Sequence, residues 1–182
     1  ETPHESFAVR APGTAPNTPG WKVRVVPNRY PAVVPVTTSE SDAIRENSAT
    51  NLFPSATAFG EHEVVIECPD SRSRLVDLSH DEITGVLRAW RQRIQHLTQS
   101  GLFQSVAVFR NEGFSAGASL AHCHSQIIAA RHLTPLDQQR HQLAVEHQQS
   151  TGRELLMDLA QAERSDQHRI ILETQNFLAL CP

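Results

Sequence analysis

Between Asn111 and Gln126 the chain reads NEGFSAGASLAHCHSQ, a glycine- and alanine-rich turn that runs straight into a short alternating segment. SVAVFR, Ser105 to Arg110, precedes it and HCHSQIIA, His122 to Ala129, closes it, so the stretch predicts two strands joined as an antiparallel pair. In an extended chain successive side chains point to opposite faces. His122, His124 and Gln126 therefore share one face, and Cys123 and Ser125 take the other. A neutral imidazole can attack phosphorus through one ring nitrogen while a neighbouring amide donates to a non-bridging oxygen. Gly113 and Gly117 flank Ser115, Ala116, Ala118 and Ser119, small residues that let backbone N–H groups approach an anion. Ten histidines in 182 residues make a His-x-His pair a weak signal by itself. Without the glycine turn, the pair reads sooner as exposed or hydrogen-bonded strand histidines than as a functional pair.

The rest of the chain supplies a sheet and helices around this pair. Residues 1 to 20, with four prolines and two glycines, favour extended or turn structure. Trp21 to Val26 alternates as a strand, with Trp21, Val23 and Val25 on one face, and PNRYP ends it. Asn28 in that tract reads either as a ligand group or as a turn residue bonding its own backbone. Residues 37 to 60 read as a surface loop. Glu61 to Cys68 is a second strand, stopped by Pro69. Ser79 and Glu82 form a capping box, after which Ile83, Val86, Leu87, Trp90, Ile94 and Leu97 recur at helical spacing up to a terminating Gly101, with Trp90 packing on a sheet. Thr134 and Pro135 open a polar helix from Leu136 to about Glu163, interrupted near Ser150 to Gly152, with Leu155, Leu156 and Leu159 on one stripe. Arg169 to Glu173 and Phe177 to Leu180 read as a strand pair turning at Gln175 and Asn176.

Composition excludes several classes of function. A net charge of −4 argues against a nucleic-acid surface, and all but one of the 16 basic residues are arginine. No apolar run reaches the length of a membrane span and no hydrophobic leader opens the sequence, so the expected location is cytoplasmic, away from any membrane. Cys68, Cys123 and Cys181 are odd in number and widely spaced, which fits neither a disulfide framework nor a Cys-x-x-Cys knuckle. The chain starts at Glu1 and ends at Cys181 and Pro182 after an apolar segment, and reads as a fragment or a processed chain.

The ordered segments WKVRVVPNRYPAV, GEHEVVIECPD, a helix, and FRNEGFSAGASLAHCHSQIIA resemble the amino-terminal half of galactose-1-phosphate uridylyltransferases, within the histidine-triad superfamily. The resemblance covers nearly the whole chain. It implies an α+β fold, a histidine-triad-like, mostly antiparallel sheet backed by helices. It also implies a nucleotidyltransferase domain over residues 1 to 165, with residues 166 to 182 opening a second, related half. On this resemblance His124 is the nucleophile that takes a nucleoside monophosphate from a sugar nucleotide, and Gln126 hydrogen-bonds the α-phosphate. Asn111, Gly117 and Ser119 lie along the phosphates, and Asn28 reaches the nucleoside. The implied partners are UDP-glucose and a hexose 1-phosphate such as galactose 1-phosphate, and the implied assembly is a homodimer. The hydrolase branches of the superfamily carry a further histidine where this chain has Gln126.

Many relatives bind zinc through a Cys-x-x-Cys ahead of residue 1, a histidine after the second strand, and the first histidine of the pair. His122 takes that last place, but Ser71 stands where the middle ligand belongs and no Cys-x-x-Cys is present. The chemistry is expected to need no cofactor, and zinc would have to be completed from outside this chain. Two other readings stay open. GFSAGAS before HCHSQ is as similar to ADP-glucose phosphorylase, which would make this a phosphorylase of an ADP-sugar or a dinucleoside polyphosphate. A non-catalytic nucleotide-binding half-domain is the other.

Overall fold

A computed structural model describes residues 3–35, 57–72, 74–118 and 121–181, and the chain packs as two compact units, residues 1–132 and 133–182. The first unit is built on a five-stranded sheet of β1 (Phe7–Arg10), β2 (Trp21–Pro27), β3 (Gly60–Ile66), β4 (Ser105–Phe109) and β5 (His124–Ala130). Their order is β1-β2-β3-β5-β4 and every pairing is antiparallel. One long helix, α1 (His80–Gln99), packs on one face. The fold is thus α+β with an antiparallel sheet and a backing helix, as the family resemblance implies.

Strand alternation divides the sheet into two chemically distinct faces. Val23 and Val25 of β2, Val65 of β3, and Ile127 and Ala129 of β5 are at most 1% exposed and meet Val86, Ala89 and Leu97 of α1 in the core. Burying each large aliphatic side chain stabilises by about 1.5–3 kcal/mol. The opposite face carries His62, Val64 and Ile66 of β3 and His124 and Gln126 of β5. The register pairs Val64 with Gln126 and Ile66 with His124.

The capping box forms as predicted: Ser79 Oγ accepts from the Glu82 amide and Glu82 accepts from the Ser79 amide. The face that α1 buries, however, is rotated from the predicted stripe. Gly85, Val86, Ala89, Arg93 and Leu97 point inward, whereas Leu87 is 52% exposed and Ile94 36%. Small residues explain the rotation. Gly85 and Ala89 let the helix axis approach the sheet, with a Cβ at Gly85 just touching Val23, and Arg93 is drawn inward by Glu63 of β3. Trp90 packs against the core as expected and donates Nε1–H to Ser125 Oγ at 2.7 Å.

One other local expectation is sharpened and one changes. The proline-rich opening contains β1, whose Phe7 pairs with Val25 and whose Val9 pairs with Val23. Four residues of alternation are too few to stand out among the prolines. On β5 the ladder starts at His124, and His122 precedes it, held to Cys68. The segment read as a loop over 37 to 60 falls mostly outside the described residues. At its end Phe59 bridges Val34 and Gly60 begins β3.

The second unit holds α2 (Pro135–Thr151), α3 (Leu155–Asp166) and a hairpin of β6 (Ile170–Glu173) and β7 (Leu178–Leu180). Thr134 caps α2 by accepting from the Asp137 amide, and Gly152 in the left-handed region at φ 72° ends it where the interruption was predicted. Leu156 and Leu159 of α3 are exposed. Among the described residues no helix is long and apolar enough to cross a membrane.

Candidate active site

The histidine pair takes its geometry from backbone carbonyls. His124 Nδ1 lies 2.8 Å from the carbonyl oxygen of His122, which can only accept, so Nδ1 carries the proton and donates. In the neutral ring Nε2 then keeps its lone pair. His124 is 8% exposed, yet it lines two cavities. One, of about 550 Å³, is bounded by Arg110, Asn111, Gly113, Phe114 and Ala118. The other, of about 420 Å³, is bounded by Val26, Asn28, Tyr30, Val64, Ile66 and Gln126. A single imidazole thus faces both the glycine turn and the apolar trough between β2, β3 and β5.

Gln126, one pleat further along β5, is held by Asn28 and by a histidine the sequence did not single out. His62 Nε2 lies 2.8 Å from Gln126 Oε1, and Asn28 Nδ2 lies 3.4 Å from the same oxygen. His62 Nδ1 lies 3.0 Å from the Ala32 amide nitrogen, and the Phe109 ring sits beside the imidazole at 6.5 Å between centroids. The alternation that places His124 and Gln126 on one face applies equally to His62, Val64 and Ile66 of β3. Only the register of β3 against β5 reveals that His62 reaches Gln126 along the diagonal.

Asn28 takes the turn role that its tract predicts. Its Oδ1 accepts from the Tyr30 amide at 2.9 Å, a turn contact, which turns Nδ2 toward His62 and Gln126. Asn111 and Gly113 line the cavity on the other side of His124. Gly117 sits at φ 78° and ψ 16°, the left-handed region, with no atom within 4 Å of where a Cβ would be. Backbone conformation, rather than close approach, is what requires glycine there. The amides of Ala116, Gly117 and Ala118 bond within the turn, to the carbonyls of Gly113 or Phe114. Ser119 lies outside the described residues.

The wall beneath the turn is charged and closed. Arg110 Nε pairs with the fully buried Glu67 at 3.2 Å, its Nη1 pairs with Glu112, and its Nη2 lies 3.2 Å from Cys123 Sγ. Arg110 draws the Glu112 carboxyl below the usual carboxylate range, helped by the Leu75 amide. Cys123, on the helix face, donates Sγ–H to Glu67 at 2.7 Å. Burial first, then that bond, pushes its thiol up to about 12, so Cys123 stays protonated and is no nucleophile.

The residues present do not fit a tetrahedral zinc site. Among the described residues no three His, Cys, Asp or Glu side chains converge. His122 Nε2 lies 2.8 Å from the Cys68 carbonyl oxygen and donates to it, which occupies the nitrogen that would otherwise be a ligand. The Cys68 thiol, 3.7 Å from the same nitrogen, is pushed up by burial and by its bond to Asp70.

The sequence and the fold both have counterparts among known proteins. The sequence matches the model of the galactose-1-phosphate uridyl transferase N-terminal domain over residues 13–134. It is 31% identical over 164 residues to an ADP-glucose phosphorylase from Arabidopsis thaliana, covering 90% of this chain and 44% of that protein. It is also 31% identical over 137 residues to a galactose-1-phosphate uridylyltransferase from Haemophilus influenzae, covering 75% of this chain and 39% of that one. A crystal structure of an Arabidopsis thaliana ADP-glucose phosphorylase with bound ADP-glucose superposes with a TM-score of 0.71 at 30% identity, over 97% of this chain and 50% of that chain. A uridylyltransferase structure superposes with a TM-score of 0.74 at 29% identity, over 97% and 52%. The chain spans about half or less of the length of these relatives. With a match across two thirds of its length, the chain belongs to the galactose-1-phosphate uridyl transferase family and corresponds to its N-terminal domain.

Proposed function

We propose that the protein is a nucleotidyltransferase that moves a nucleoside monophosphate from UDP-glucose to a hexose 1-phosphate, such as galactose 1-phosphate, through a covalent nucleotidyl-His124. The observation that carries this reading is the bond from His124 Nδ1–H to the His122 carbonyl, which leaves Nε2 as the basic nitrogen of a residue that lines both cavities. Nε2 attacks the α-phosphorus and the bond from phosphorus to the bridging oxygen breaks. The electron pair departs with glucose 1-phosphate. The ring, now substituted at Nε2 and protonated at Nδ1, carries a positive charge that the His122 carbonyl stabilises. The phosphate oxygen of the hexose 1-phosphate then attacks the same phosphorus, the P–N bond breaks, and its electrons return to Nε2. One difficult transfer becomes two easier ones.

Gln126 serves as a neutral donor to a non-bridging α-phosphate oxygen, and Asn28 reaches the nucleoside side of the trough. Asn111, Gly117 and Ser119 follow the remaining phosphate. No step needs a metal, and His122 acts as a hydrogen-bonding neighbour that orients the strand entry. We propose a homodimer on the family resemblance.

A second reading has its own support. The ADP-glucose phosphorylase relative matches 90% of the chain. In that case inorganic phosphate takes the place of the hexose 1-phosphate in the second step and the donor is an ADP-sugar. Incubation with UDP-glucose or ADP-glucose labelled at the α-phosphate, quenched in alkali where a phosphoramidate survives, separates the readings. Label retained on protein from UDP-glucose supports the transferase, and label from ADP-glucose alone supports the phosphorylase. Label from neither leaves a non-catalytic nucleotide-binding domain. His124→Ala abolishes retention, whereas His122→Ala weakens it less.

A further inference from the structure

We propose that His62 is a positioning residue that sets which end of the Gln126 amide faces the nucleotide. The proposal rests on the reading of His124 and Gln126 as the phosphate-binding pair. It follows from counting donors and acceptors around one buried imidazole.

The Ala32 amide can only donate, and it lies 3.0 Å from His62 Nδ1. That nitrogen must therefore accept, so a neutral His62 carries its proton on Nε2. Nε2–H points at Gln126 Oε1, 2.8 Å away. Asn28 adds a second constraint. The Tyr30 amide takes its Oδ1, leaving the Nδ2 amino group to approach Gln126 Oε1 at 3.4 Å. Two donors thus converge on one oxygen, which is why Asn28 Nδ2 and His62 Nε2 also come within 3.1 Å of each other.

The consequence is a single allowed orientation of Gln126. A flipped amide would set its NH₂ against the N–H of His62 and the NH₂ of Asn28, three donors with no acceptor. With Oε1 held, the Nε2 amino group is the end left for the cavity it shares with His124. A site with that polarity receives an acceptor, such as a phosphoryl oxygen. His62 is 9% exposed and flanked by Phe109, so its ring is held by packing as well as by its bonds.

Two measurements on the whole 182-residue chain test this. Long-range ¹H–¹⁵N spectra are expected to show His62 as the neutral Nε2–H tautomer near neutral pH, and an Nδ1–H tautomer or an averaged ring overturns the assignment. In single-turnover labelling with α-phosphate-labelled UDP-glucose and ADP-glucose, His62→Leu should slow labelling about 10- to 100-fold with little change in the donor concentration that half-saturates it. His62→Gln, whose terminal NH₂ can replace the Nε2–H donor, should restore most of the rate. In a Gln126→Ala background His62→Leu should have no further effect, because the group it orients is gone. An equal loss in both backgrounds, with both variants folded, overturns the positioning role. Should His62→Leu fail to fold, the tautomer spectrum decides. If the unaltered protein takes up no label from either donor, the transfer reading falls while the spectrum still decides the state of His62.

Discussion

Arg93 of α1 and Glu63 of β3 form a two-pronged ion pair, Nε to Oε2 at 2.8 Å and Nη2 to Oε1 at 2.9 Å, with side chains only 8% and 4% exposed. It pins the helix to the strand whose other face carries His62, Val64 and Ile66. Removing one partner leaves a buried charge without compensation, so Arg93→Ala is expected to destabilise by about 3–5 kcal/mol. Replacing both residues together with Leu should cost much less than either single change, because no charge is left stranded. Urea unfolding of the three variants measures this, and a double variant as unstable as the singles would contradict it.

Gly60 makes a different kind of demand. A Cβ built there falls 2.1 Å from the Ala129 carbonyl oxygen and 3.0 Å from Val33 Cγ2, and the first of these is backbone. Gly60→Ala must push β3 away from β5 at the end of their ladder, where Gly60 pairs with Ala130. The expected cost is about 1–3 kcal/mol, the usual range for overpacking, with the rate of labelling at His124 less affected than stability. Gly113→Ala and Gly117→Ala meet no atom within 4 Å, and their cost comes from the positive φ alone.

How much of this was legible in the sequence depends on the distance over which each signal acts. The capping box at Ser79, the end of α2 at Gly152 and the alternation through His124 and Gln126 are local, and each is found where the pattern puts it. The inward face of α1 was not legible, because Arg93 turns inward only in response to Glu63, thirty residues away in sequence. His62 was missed for the same reason. Nothing within β3 distinguishes it from a solvated histidine until the β3–β5 register brings it to Gln126. The family resemblance named the pair at the centre and Asn28 beside it, and said nothing of His62.

Acid should loosen the start of α1. Arg72 grips the Glu82 carboxylate with both guanidinium ends, and the Ser79 amide and hydroxyl donate to it as well. The Arg72 bonds, followed by those of Ser79, lower the Glu82 carboxyl from 4.5 to about 2. A group whose folded value lies below its unfolded value stabilises fully above the unfolded value and loses that contribution as pH falls through the folded one. The Glu82 contribution is therefore present above about pH 4.5 and fades between there and pH 2. Glu82→Gln should lower stability at pH 7 and flatten the acid limb across that window, as read by thermal melts from pH 7 to pH 2. An unchanged acid limb would mean that Arg72 and Ser79 do not hold the charge in solution.

His122 yields the prediction that separates a hydrogen bond from a metal bond. Its Nε2–H to the Cys68 carbonyl joins the chain just before β5 to the chain just after β3, and a second link runs beside it, from the Cys123 amide to the Arg72 carbonyl at 2.7 Å. These bonds tie together the two segments that a zinc ion would otherwise bridge. With Ser71 where a ligand histidine is expected, the donor set is short, so purified protein should hold well under one zinc per chain. Dialysis against EDTA should leave both the melting temperature and the labelling of His124 unchanged. His122→Gln keeps an amide N–H able to reach the carbonyl and should retain more activity than His122→Ala, an order that reverses the expectation for a metal ligand. One tightly held zinc per chain, lost with activity on chelation, would show that the bond to Cys68 is not what holds this corner of the site.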